Sequence, residues 1–138
     1  MDIKQVSVFL ENKIGRLAEA VSALGKEGIN IRALSIADTA EFGILRMIVN
    51  QPQKAGKILE GKGFTVSQTN VLAIEVPDKP GGLAKVLAVL KKKGINVEYL
   101  YAFVAPIGDN ALVVLKTEKL EEAKKILKVE NIKILTSV

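Results

Sequence analysis

Two short segments hold the residues with the most chemical potential. Asp78-Lys79-Pro80-Gly81-Gly82-Leu83 leads into a helical pattern that ends at Gly94-Ile95-Asn96-Val97. Upstream, Asn12-Lys13-Ile14-Gly15-Arg16-Leu17 leads into a second pattern that ends at Gly28-Ile29-Asn30-Ile31. A strand that enters a helix through a glycine turn leaves backbone N–H groups free, and the helix dipole adds partial positive charge there. Such a place can hold a carboxylate or a phosphate. Gly15, Gly81 and Gly82 would let a ligand approach the backbone closely. Asp78, or Asn12 in the other copy, can accept hydrogen bonds from an ammonium group, so a small zwitterion would be satisfied at both ends. Asn30 and Asn96 place a polar side chain where the next strand begins. The same residues also suit plain architecture: Asp, Pro and Gly make ordinary helix starts, and Gly28 and Gly94 are ordinary helix stops.

The two segments align without a gap, and this duplication organises the chain. It divides the 138 residues into halves, expected at 1–70 and 71–138. Units of that size bury proportionally little surface, so two in one chain are expected to share an interface.

Composition removes several classes of function. The sequence has no Cys and no His, which excludes a disulfide framework and any Cys or His metal site. Without His, no side chain titrates near neutrality in its unperturbed state. General acid–base catalysis would then need a strongly shifted Lys, Glu or Asp. No metal or other cofactor is expected, and no catalytic residue is assigned. The formal net charge of +5 is spread over lysine-rich helical faces, with no purely basic or aromatic-interleaved tract for nucleic acid. No apolar run approaches the roughly 20 residues of a membrane span, and the beginning of the sequence lacks the pattern of a signal peptide. A cytoplasmic location is expected.

The elements that would position the two segments follow from periodicity. Val6, Val8 and Leu10 alternate with Ser7, Phe9 and Glu11 as a strand. Leu17, Val21 and Leu24 mark one face of a helix over 16–25. Strands follow at 29–37 and 42–49, joined by a turn at Asp38-Thr39-Ala40-Glu41. Asn50 and Pro52 open a second helix with Ala55, Ile58 and Leu59 on its apolar face. A fourth strand runs over 64–67. The second half repeats the order: strand 71–76, helix 82–93 with Leu83, Leu87 and Leu90 inward, strands 95–104 and 111–116, a helix opened by Thr117, and a strand 132–137. Each half thus reads as a ferredoxin-like βαββαβ unit of the α+β class, a four-stranded antiparallel sheet with two helices on one face. Ile44 to Val49 and Leu112 to Leu115 are apolar on both faces, whereas a sheet with one solvated face should alternate. The second face is therefore expected to be covered by the other half or by another chain, which predicts a homo-oligomer, a homodimer above all.

The Asp78–Leu83 motif, the helix after it and the Gly94-Ile95-Asn96 step together resemble the signature of the ACT domain, and the whole chain resembles small stand-alone proteins made of two ACT domains. The resemblance implies a non-catalytic, allosteric regulatory protein that binds a small molecule, expected to be an amino acid, at domain interfaces. It implies ligand-binding roles for Asp78, Lys79, Pro80, Gly81, Gly82 and Leu83, with Gly94 and Asn96 across the pocket. In the first half the corresponding residues are Asn12, Lys13, Ile14, Gly15, Arg16 and Leu17, with Gly28 and Asn30. That copy departs from the pattern, since Asn12 replaces Asp and Ile14 replaces Pro, while Arg16 would favour a carboxylate.

Other classes fit less well. RNA recognition on this strand order needs exposed aromatic residues on the central strands, and 44–49 and 111–115 contain none. Acylphosphatase-like enzymes share the plan, but Arg16 with Asn30 or Asn96 does not reproduce their loop, and no triad or Walker loop is present. The remaining alternative is a regulatory subunit of an amino-acid biosynthetic enzyme, such as acetolactate synthase, acting through protein contacts.

Overall fold

A computed structural model describes residues 2–38 and 41–138. The element order is β1 (Ile3–Glu11), α1 (Arg16–Lys26), β2 (Ile31–Asp38), β3 (Phe42–Val49), α2 (Pro52–Gly61), β4 (Thr65–Pro77), α3 (Gly82–Lys92), β5 (Tyr99–Ala102), β6 (Asn110–Lys116) and α4 (Leu120–Val129). The expected turn between β2 and β3 falls partly on Thr39 and Ala40, which lie outside the described residues.

The chain forms two compact units. One comprises Lys4–Thr69, and the other joins Asp2 and Ile3 to Asn70–Ser137. The N-terminal unit has strand order β2-β3-β1-β4. Its register pairs Val8 with Leu45 and Phe9 with Ile44, and it pairs Ile36 with Leu45 across the other edge of β3. Because side chains alternate along a strand, Val6, Val8, Leu10, Leu45 and Met47 share the face that packs beneath α1 and α2. There they meet Ala20, Leu24, Ala55, Leu59 and Phe64 in one core. The C-terminal unit has the order β4-β6-β5, with Ile74 opposite Val113. Its core joins Leu72, Ile74, Val76, Val113 and Leu115 to Val86, Leu90, Ala123 and Leu127. Two helices on one sheet face, in the order βαββαβ in the N-terminal unit and βαββα followed by a single bridge in the C-terminal unit, make each unit ferredoxin-like. Among the described residues of the C-terminal unit, Lys124 is ion-paired to Asp2 and Glu121. Hydrogen bonds first to Asp2 and then to Glu121 hold its ammonium above the ordinary lysine value.

Several local expectations are corrected. The strands expected at 64–67 and 71–76 are one strand, β4, because the polar run Ser67–Asn70 lies at exposed or half-buried positions where polar residues pair without cost. The last segment is no regular strand. Ile134 makes a single bridge to Ile74, and the carbonyl of Lys133 and the N–H of Leu135 bond to Glu75 and Ala73, so it still lies antiparallel beside β4. The strand expected over 95–104 is only β5. Of the face expected for α1, Leu24 is buried, together with Ala20 and Ala23, while Leu17 is exposed; of that expected for α3, Leu90 is buried, together with Val86, while Leu83 is partly buried. In each helix a smaller residue, Ala20 or Val86, joins that leucine in the core. Asn50 does not cap α2. Its Oδ1 accepts the N–H of Asn30 at 3.1 Å, and Gln51 takes the cap position. Thr117 holds the N–H of Lys119 at 3.3 Å, one residue ahead of α4. On β6, Leu112 and Val114 are as buried as the helix-facing Val113 and Leu115, so both faces of this strand are withdrawn from water.

Candidate functional site

The β4–α3 turn builds the site. Pro77 ends β4, and its carbonyl accepts the N–H of Lys79 at 2.9 Å. Gly81 then takes a left-handed conformation, φ 83°, which costs an L side chain energy but costs glycine little. Gly82 donates to the Lys79 carbonyl at 3.0 Å, and Lys85 to the Gly81 carbonyl at 3.0 Å. Among the described residues, the first-turn amides of Leu83 and Ala84 have no backbone acceptor. Gly82 is required by contact rather than by conformation. A Cβ there would lie 2.1 Å from the Pro77 carbonyl oxygen.

Beside this turn lies a cavity of about 610 Å³ within the C-terminal unit. The turn supplies Lys79 to Gly82, helix α3 supplies Lys85, Val86 and Val89, and β4 supplies Glu75 and Pro77. Asn110 and the segment Glu130-Asn131-Ile132-Lys133 complete the wall. Asn131 carries φ 58°, a left-handed turn after α4 that brings Ile132 and Lys133 back toward β4. The Glu75 side chain is only 10% exposed, and its Oε2 lies 3.2 Å from Lys133 Nζ. Asn110 Nδ2 donates to Oε1 at 3.5 Å. The carboxylate is thus fixed in place at the wall. Lys79 and Lys85 have no ion-pair partner among the described residues, and they stand at the positive end of α3. The wall therefore offers one anchored carboxylate, a second in Glu130, two unpaired ammonium groups and an apolar side from Val86, Val89 and Ile132.

Of the residues expected at the site, Lys79, Pro80, Gly81 and Gly82 line this cavity, whereas Asp78 and Leu83 do not. Asp78 is exposed, and its N–H ties the turn to the Asp109 carbonyl at 3.3 Å. Gly94 and Asn96 line two other hollows, one with Leu87 and Lys91 and one with Thr117 and Lys119. The 11 residues of α3 separate the Gly81 turn from the Gly94 turn, a span of about 16 Å. Within one unit the two parts of the motif do not meet.

In the N-terminal unit, Asn12, Lys13 and Leu17 line a small hollow of about 150 Å³ with Glu11, Ile36 and Gly43. Ile14 stands fully in solvent, and Gly15 caps α1 at φ 87°. Arg16 Nη1 donates to Glu19 at 2.8 Å, and its guanidinium lies over the Phe64 ring, 4.5 Å from the centroid. The Glu11 carboxyl is held below its ordinary value, first by its hydrogen bond to Lys13 at 2.7 Å and the attraction of that ammonium, and to a lesser degree by Arg16. Gly28 takes φ 73° after α1, and the Asn30 backbone is paired with Asn50.

Glu75, Lys85, Asn110 and the 130–133 wall escape sequence reasoning because they come from four separate segments. One signal was available. Glu130-Asn131-Ile132 stands after α4 where Lys62-Gly63-Phe64 stands after α2, so the duplication extends to the turn opposite the loop. No group of three or more acidic residues is placed to hold a metal ion, and no helix is long and apolar enough to cross a membrane, both among the described residues.

Comparison with known proteins places the fold. Among curated proteins, none matches. Among solved structures, protein BT0572 from Bacteroides thetaiotaomicron is 44% identical, with a TM-score of 0.91 over 98% of this chain and 92% of that one. The ligand-free regulatory subunit of aspartate kinase from Thermus thermophilus shares the fold at 17% identity, with a TM-score of 0.67 over 94% and 93% of the two chains. A structure of aspartokinase alpha and beta subunits does so at 16% identity and a TM-score of 0.61, over 94% and 93%. The family model described as an ACT domain pair matches residues 1–137. Two ferredoxin-like units are the architecture of ACT domains, which are regulatory rather than catalytic modules, and the chain belongs to the ACT domain pair family.

Proposed function

We propose that this ACT domain pair is a non-catalytic sensor of a small zwitterion, an amino acid by class, bound in the cavity beside the β4–α3 turn. The observation that carries the reading is the wall itself. Its volume falls within the roughly 300–1,000 Å³ of small-molecule sites, and it brings the unpaired Lys79 and Lys85 near the start of α3 into one lining with the anchored Glu75. The ligand carboxylate would meet Lys85 and the free amides of the first turn, where the helix dipole favours negative charge. Its ammonium would meet Glu75 or Glu130, and a modest apolar side chain would lie against Val86, Val89 and Ile132. Binding would regulate by favouring the packing arrangement with the better-formed cavity, and only to the extent that affinity differs between arrangements.

A second copy or an enzyme partner is the route by which such binding is read out. Strand register puts Phe9, Phe42 and Ile44 on one sheet face, with Phe9 and Phe42 about half exposed. Exposed aromatic residues on a sheet face suit a protein contact. This supports a homodimer or a regulatory subunit of an amino-acid biosynthetic enzyme.

The test is a thermal-shift screen against the standard amino acids, with each hit repeated as its decarboxylated and deaminated analogue. A ligand that binds only the folded state raises the midpoint by mass action. One amino acid should raise it, neither analogue should match it, and Lys85→Ala should abolish the shift. Equal shifts from the amino acid and its decarboxylated analogue would sink the assigned roles.

A further inference from the structure

The two repeats build the same backbone turn and then part at the first position of the helix. Gly15 and Gly81 are both left-handed, at φ 87° and 83°. Lys13 donates to the Glu11 carbonyl at 2.8 Å as Lys79 does to Pro77 at 2.9 Å, and Glu19 donates to Gly15 at 2.9 Å as Lys85 does to Gly81 at 3.0 Å. The turn after the second helix is repeated too. Phe64 donates to Leu59 at 3.0 Å as Ile132 does to Leu127 at 2.9 Å, each after a left-handed residue, Gly63 or Asn131. At the first helical position the repeats part: Arg16 in one, Gly82 in the other.

In the C-terminal unit, the space between Gly82 and Ile132 belongs to the open cavity. In the N-terminal unit the corresponding residues are Arg16 and Phe64, and the guanidinium sits over the Phe64 ring. Two carboxylates attend it. Glu19 accepts from Nη1, and Glu11 Oε1 lies 3.9 Å from Nε. Their counterparts in the second repeat are Lys85 and Pro77, so both carboxylates are missing where the guanidinium is missing. The Arg16 side chain is 27% exposed, and its Nε is buried without an acceptor.

We propose that Arg16 is a tethered occupant of the first repeat's site. Each chain then offers one open site of this kind, in the C-terminal unit, and removing the Arg16 side chain opens a second pocket that selects a guanidinium rather than a carboxylate. The count of one ligand per chain rests on the reading of the C-terminal cavity above; the guanidinium pocket does not.

The experiment is thermal unfolding of the full chain and of Arg16→Ala, with and without millimolar ethylguanidinium, using ammonium chloride at equal ionic strength as control. Arg16→Ala should lower the midpoint by roughly 3–6 °C. Ethylguanidinium should restore about half of that loss by binding the folded variant, and should leave the unsubstituted protein unshifted. A folded Arg16→Ala that gains no more than the unsubstituted protein overturns the proposal. If Arg16→Ala does not fold, Arg16→Gln keeps most of the packing stem and carries the same test with millimolar guanidinium ion, which fits the space beyond that stem. Calorimetric titration with any amino acid that binds should then give one site per chain, and two equal sites in the unsubstituted protein would also overturn it. If no amino acid binds, the sensor reading fails while the ethylguanidinium arm still decides the role of Arg16.

Discussion

At the scale of single residues, neighbouring glycines serve different ends. Gly81 is needed for its dihedral and Gly82 for its missing Cβ. A side chain at Gly81 meets nothing within 4 Å and is opposed only by its left-handed backbone, so Gly81→Ala should cost about 1–2 kcal/mol. Gly82→Ala drives a methyl into the Pro77 carbonyl, which belongs to the backbone and cannot swing aside. Overpacking of that kind costs roughly 1–3 kcal/mol and sometimes more, so Gly82→Ala should have the larger effect in urea unfolding, and the opposite order would contradict the close approach. Glu11 gives a prediction in pH. Its carboxyl is depressed, so it binds a proton more weakly in the folded protein than in the unfolded chain. Its contribution is present above the ordinary carboxyl value near pH 4.3 and is lost as pH falls through its lowered folded value. Glu11→Gln should flatten the acid side of the stability profile measured by urea midpoints by lowering the neutral plateau slightly, and should leave stability below the lowered folded value nearly unchanged. The repeated glycines, the left-handed turns and the Asn12 and Ile14 departures were readable in the sequence. The fate of Arg16 was not, because its partner Phe64 lies on a distant segment and only the fold brings the ring under the guanidinium.

At the scale of elements, periodicity gave the helices but not always their orientation. An apolar stripe tells that a helix has a buried side, while neighbouring elements decide which of two adjacent stripes is used. In α4 the stripe Leu120, Ala123 and Leu127, at helical spacing, is the one that faces the core. Ala123 and Leu127 are fully buried, and Val129 at its end is 78% exposed. Leu127→Ala should therefore destabilise by about 2–5 kcal/mol, while Val129→Ala should stay within about 0.5 kcal/mol, as measured by equilibrium denaturation. Equal losses would mean that α4 is rotated from the position described. The continuity of β4 was hidden by Ser67–Asn70, whose polarity reads as a break but marks positions outside the core. The C-terminal segment has the composition of a strand and falls short of one, because Leu135 is its last residue bonded to β4.

At the scale of the whole molecule, duplication gives two units of one design and allows them to diverge. The order of elements, the fold class and the family were legible because a repeat states the same pattern twice. The site was only half legible. The turn from 79 to 82 announced itself by motif, but Glu75, Asn110 and the 130–133 wall have no spacing that links them, and Gly94 and Asn96 proved to lie beyond the opposite end of α3. The central claim is that a small zwitterion binds beside the β4–α3 turn. Titration of the isotopically labelled protein with the amino acids, followed by backbone amide NMR, tests it most directly. The account predicts that one amino acid moves the amides of Gly81 to Lys85 and of Asn131 to Lys133 most strongly. Largest movements at Gly94 to Val97, or none anywhere at millimolar concentration, would contradict it.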